Sequence, residues 1–92
     1  MSGLTEAIGK FIAGSHGPAI PSDALDVAKL GITDTGACMI AGRDEPVVHI
    51  VKSMVSPGKS NDRARLVFTD DHASSWDAAL VNGTAAHALD YD

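Results

Sequence analysis

A single cysteine, Cys38, in 92 residues excludes a framework of internal disulfides and fits a reducing compartment. Basic residues are also few: seven Lys and Arg stand against twelve Asp and Glu, for a net charge of −5. That balance argues against a nucleic-acid surface, which needs clustered cations to meet phosphates. Nowhere does an apolar run approach the ~20 residues that a membrane span requires. The opening Met1-Ser2-Gly3-Leu4-Thr5-Glu6 lacks the basic and then apolar stretch of a signal peptide. These absences predict a soluble, cytoplasmic chain that engages neither nucleic acid nor membrane.

Aromatics are scarce as well, with Phe11, Phe68, Trp76 and Tyr91 set beside nine glycines and many alanines. Large side chains supply most of the burial in a small core, so a domain built this way is marginal by itself. Small residues suit helices that pack closely against other helices. The composition therefore predicts contact surfaces for further protein.

What is present reads mainly as helix. Leu4, Ile8, Phe11 and Ile12 share one helical face over Leu4 to Ala13, and Gly14-Ser15-His16-Gly17-Pro18 ends it. Ser22 is a candidate N-cap for a second helix that runs to Gly42 through Leu25, Ala28, Ile32 and Met39. Gly31 and Gly36 weaken that helix and predict a second helix backbone close by. Asp44 is a candidate cap, and Pro46 a tolerated first-turn residue, for a third helix to Val55, stopped by Ser56-Pro57-Gly58. Residues 58–73 read as a loop with a short extended segment near 64–69. Ser74 and Asp77 have the spacing of a capping box ahead of a last helix, about Trp76 to Leu89. The fold class is thus all-α, about four helices in one segment, 1–92. Asp90, Asp92 and the terminal carboxylate at a helix C-terminus oppose the macrodipole, an arrangement that reads as a cut.

Few residues group into chemistry. The histidines, His16, His49, His72 and His87, are too far apart in sequence for a short zinc pair, so no metal is expected. Asp70-Asp71-His72 reads as a solvated acidic loop, and Lys59, Arg63 and Arg65 as solvated cations. Cys38 is expected to be a buried, inert thiol. Asn82-Gly83-Thr84 has the form of a glycosylation sequon but falls within a helix, a chance match. Gly14 and Gly17 follow no strand, which excludes a phosphate loop. The strongest grouping is at the end: His87 lies three residues from Asp90 and four from Tyr91, so a helix would share one face among them. A carboxylate beside an imidazole is a plausible acid–base pair.

The segment Asn82-Gly83-Thr84-Ala85-Ala86-His87-Ala88-Leu89-Asp90-Tyr91-Asp92 resembles the NGTAAHALDxDD signature of the MmgE/PrpD family. Upstream, Leu4 to Ala13 is similar to the family's first helix. Pro21 to Gly42, with Asp34-Thr35 and Cys38-Met39-Ile40-Ala41-Gly42, is similar to its second. Gly31-Ile32-Thr33 departs from the leucine-rich stretch usual there, and the 58–73 loop also varies. Family members are several times longer, so the resemblance implies the N-terminal part of a helical domain. It also implies a later α+β domain and a homodimer as the full-length protein.

The family includes 2-methylcitrate dehydratase, cis-aconitate decarboxylase and iminodisuccinate epimerase. The resemblance implies a small polycarboxylate substrate, no cofactor and no metal. By the same resemblance Asp90 is the catalytic acid-bearing position and a substrate contact, with Tyr91 and Asp92 beside the substrate and His87 supporting. The other catalytic residues of the family fall beyond residue 92. The expected activity is a lyase of the 2-methylcitrate dehydratase kind, with decarboxylase or epimerase as alternatives. A reading of another class, a non-catalytic helical fragment or interaction module, stands against it.

Overall fold

Four helices form in the computed structural model, which describes residues 3–91: α1 (Leu4–Gly14), α2 (Ser22–Gly42), α3 (Pro46–Ser53) and α4 (Ser75–His87). A 3-10 turn, Gly17–Ala19, precedes α2, and two short strands, β1 (Ala64–Arg65) and β2 (His72–Ala73), lie between α3 and α4. The chain divides into two compact units between Gly31 and Ile32.

In the first unit, α1 carries the expected apolar face, yet none of its residues is buried. Ser15 closes its end, with Ser15 N–H donating to the Ile12 carbonyl and Ser15 Oγ to the Phe11 carbonyl. Ser22 proves to be the first helical residue of α2 rather than its cap. The Pro21 carbonyl accepts from Leu25 N–H at 3.1 Å, so the helix begins one residue earlier than the hydroxyl suggested. Apart from the backbone of α2 itself, no described atom lies within 4 Å of a Cβ built on Gly31.

The second unit holds the core: Val48 from α3, Leu66 and Ala73 from the hairpin, and Ala78, Val81 and Ala85 from α4. Val51, Val55, Ala64 and Ala88 pack against it. Three of these six core residues are alanine, so helix and hairpin backbones come close. Burial here is one-sided. Trp76 and Leu80 on the same α4 remain 86% and 56% exposed.

Helix α3 begins at Pro46 with Glu45, not Asp44, at the cap, and no side chain completes it. It ends at Ser53, two residues short of the expected Val55, where Met54 N–H folds back to the Val51 carbonyl. The expected extended segment at 64–69 is mostly a turn. Ala64 and Arg65 pair antiparallel with Ala73 and His72, and Leu66 N–H donates to the Asp71 carbonyl at 2.9 Å. The chain then reverses over Leu66–Thr69, with Phe68 in the left-handed region at φ 62°. Bulky residues rarely adopt that conformation. Arg43 Nη1 holds it by donating to the Phe68 carbonyl at 2.9 Å. The neighbour of Gly36 is the Phe68 ring, 3.8 Å from a Cβ built there, rather than a helix backbone.

Helix α4 starts as a capped helix should. Ser74 Oγ accepts from Asp77 N–H at 3.3 Å, the expected half of a capping box. The Asp77 carboxylate turns to Ser56, accepting from its N–H and Oγ at 3.3 Å, and so ties α4 to the end of α3. Asp62 completes the start by accepting from Ser75 N–H at 3.0 Å and Ser75 Oγ at 2.6 Å.

Candidate functional site

The signature residues lie on α4 and the turn that follows it. Helix α4 ends at His87, two residues before the expected Leu89. Asp90 N–H donates to the His87 carbonyl at 2.9 Å, and Asp90 takes a left-handed φ of 51°. His87 Nε2 and Asp90 Oδ1 are 3.9 Å apart, so the expected pair is brought together. It meets across a turn rather than along a helix face, because the chain has left the helix by Asp90. Tyr91 lies past that turn, 69% exposed, and shares no helical face with His87. Asp92 falls outside the described residues.

An open hollow of about 540 Å³ adjoins the pair, lined by Val47, Gly83, Thr84, His87, Ala88 and Asp90. One wall is the last turn of α4 and the other is the start of α3. Thr84 Oγ1 donates its proton to the Leu80 carbonyl at 2.7 Å, so the hydroxyl offers the hollow lone pairs only. An imidazole, a carboxylate and a hydroxyl oxygen thus border an otherwise apolar space. They can accept and relay a proton. No Lys or Arg lines the hollow to neutralise an anionic substrate.

Two residues of this region carry roles that the sequence did not reveal. Val47 reaches the hollow from α3, and nothing in its local pattern marks it. Asn82, whose surroundings read as a sequon, clasps the hairpin: its Oδ1 accepts from Val67 N–H at 2.9 Å and its Nδ2 donates to the Arg65 carbonyl at 3.2 Å. The amide thereby supplies the tip of β1 with the partner that a third strand would have provided.

The polar loop residues form a second, separate hollow of about 420 Å³, lined among others by Lys52, Arg63, Asp70, Asp71 and His72. Lys52 Nζ donates to Asp71 Oδ2 at 2.5 Å, and that hydrogen bond and charge hold the Asp71 carboxyl below the usual range. Arg65 pairs loosely with Asp70 at 3.8 Å. Asp62 is lowered too, chiefly by its two hydrogen bonds from Ser75. The loop is therefore internally paired, not only solvated. Cys38 is half-buried rather than buried, on a helix whose one buried residue is Gly42. Among the described residues no three His, Cys, Asp or Glu side chains come together as a metal site would require. Among the described residues no helix is long and apolar enough to cross a membrane.

Comparison with curated proteins and with solved structures yields no match. A family model does match: the MmgE/PrpD N-terminal domain, over residues 6–92. The match takes in α1 from Glu6 onward, the other three helices, the clasped hairpin and the turn that brings Asp90 to His87, and by it this chain belongs to the MmgE/PrpD family.

Proposed function

We propose that this chain is the N-terminal part of a lyase acting on small polycarboxylates, of the 2-methylcitrate dehydratase kind. The observation that carries the reading is the meeting of Asp90 with His87 at the mouth of the hollow, within a domain of this family. Asp90 contacts the substrate and takes part in moving the proton next to a carboxylate. His87 supports it from 3.9 Å and can hold or pass on that proton. Tyr91 and Asp92 follow Asp90 in the chain and are proposed to complete the substrate contact.

Removing a proton next to a carboxylate builds up negative charge, which must be met by fixed donors or cations. The hollow contains neither Lys nor Arg. Residues 1–92 alone are accordingly expected to turn over no substrate, and the cationic half of the site belongs to further protein, with a homodimer as the proposed assembly. Epimerisation of iminodisuccinate removes and returns such a proton, whereas decarboxylation of cis-aconitate releases CO2 and adds a proton to the carbanion left behind; one experiment separates the three. The polypeptide that the whole gene encodes is offered 2-methylcitrate, cis-aconitate and iminodisuccinate, and products are followed by NMR. Water loss from 2-methylcitrate is the expected result, abolished in Asp90→Asn. Turnover by residues 1–92 alone, or full activity in Asp90→Asn, would refute this assignment of roles.

A further inference from the structure

Gly42 is the last residue of α2 and the one buried residue of that helix. Its Cα faces the final turn of α4. A Cβ built there would overlap the Ala85 carbonyl oxygen and come within 3.3 Å of the Ala85 carbonyl carbon and of the Ala88 Cβ. The main obstacle is backbone, so no side-chain rotation can relieve it. Ala85 is itself a core residue, packed with Ala78, Val81, Val48 and Leu66. The Gly42 carbonyl meanwhile accepts from Glu45 N–H at 3.0 Å, in the turn that launches α3 and carries Val47 to the hollow.

One residue therefore sets both walls of the hollow. We infer that Gly42 is a positioning residue for the Asp90–His87 pair: its missing side chain seats the α4 terminus against the start of α3. The inference rests on the functional reading above for its kinetic consequence, but its geometry stands apart from it. Any side chain at 42 must push Ala85 to Ala88 outward and carry His87 and Asp90 with them. A displacement of about 1 Å in a catalytic group can cost ~10²-fold in rate.

The test compares Gly42→Ala with wild type in the full chain, with Gly9→Ala as control, since apart from the backbone of α1 itself no described atom lies within 4 Å of a Cβ built on Gly9. Two readouts are taken: kcat and its pH profile on the acid that is turned over, and the NMR contact between the His87 ring and Asp90. Gly42→Ala is expected to lower kcat by ~10²-fold and alter the pH profile. The His87–Asp90 contact should be lost while exchange protection of the Leu66 amide persists, and Gly9→Ala should change none of these. An unchanged kcat or an unchanged His87–Asp90 contact in folded Gly42→Ala overturns the inference. If wild type turns over none of the acids, the functional reading fails, and the NMR contact alone decides the role of Gly42. Should Gly42→Ala not fold, Ala88→Val crowds the same seat from the opposite side. Displaced Asp90 resonances then support the inference and unmoved ones overturn it.

Discussion

Glycine and asparagine show most clearly how one residue's meaning depends on its surroundings. Gly58 sits at φ 82°, and a Cβ there would meet the backbones of Ala73 and Asp62 at 2.9 Å. Gly9 lies in α1 with nothing near. Alanine should therefore destabilise at 58 by more than ~1 kcal/mol in urea melts, and at 9 should favour α1 locally by ~0.5–1 kcal/mol, read from amide exchange within that helix. Asn82→Ala strands the part-buried Val67 N–H and should cost ~1–3 kcal/mol. Asn82→Asp keeps that acceptor and loses the donor to Arg65, so amide exchange at Val67 should stay slower in Asp than in Ala. If the two variants exchange alike, the clasp is not what protects the tip.

Helices were legible as elements because their apolar spacing and stop signals are local. Their ends were less so. Ser74 caps α4 as its spacing with Asp77 indicated, but Asp77 spends its carboxylate on Ser56, far away in sequence. Asp62, within the 58–73 loop, proves to be the residue that ties down Ser75. Both Asp62 and Asp71 have pKa values below the usual 3.8 in the folded chain, the first through Ser75 and the second through Lys52. Carboxylates lowered in this way add stability above their unfolded pKa, and the gain is lost as pH falls through the folded value. Both groups are solvent-accessible, so the effect is modest. As pH falls through 3.8 and below, amide exchange at Ser75 and Leu66 should accelerate once the intrinsic pH dependence is removed. An Asp62→Asn, Asp71→Asn double variant should show a flatter dependence, and an equally steep one would show that other groups govern it.

At the scale of the molecule, the buried residues among those described all lie between Gly42 and Ala85, while Leu4, Phe11 and Leu30 are 77%, 74% and 71% exposed. The core cluster belongs wholly to the second unit, and that unit is expected to hold its stability by itself. Deleting residues 1–21 should leave the thermal midpoint and the protection of the Val67 amide close to those of the whole chain. A collapse of either would show that α1 supports the core. The broad apolar exposure agrees with the composition, whose small and few large residues leave little to bury internally.

Local order followed from the residues alone: the helical spacing in α1 to α4, the Ser74 cap, and an eleven-residue signature specific enough to indicate the family that the 6–92 match then showed. Each of these depends on neighbours within a few positions. Long-range pairing did not follow, since contacts across 15 to 25 residues leave no periodic trace in the chain. Tertiary structure alone turned a sequon into the Asn82 clasp and Phe68 into a left-handed tip held by Arg43. It also set His87 and Asp90 across a turn instead of along a helix, and it gave Gly42 the seat of α4, because only packing shows where a missing Cβ is needed.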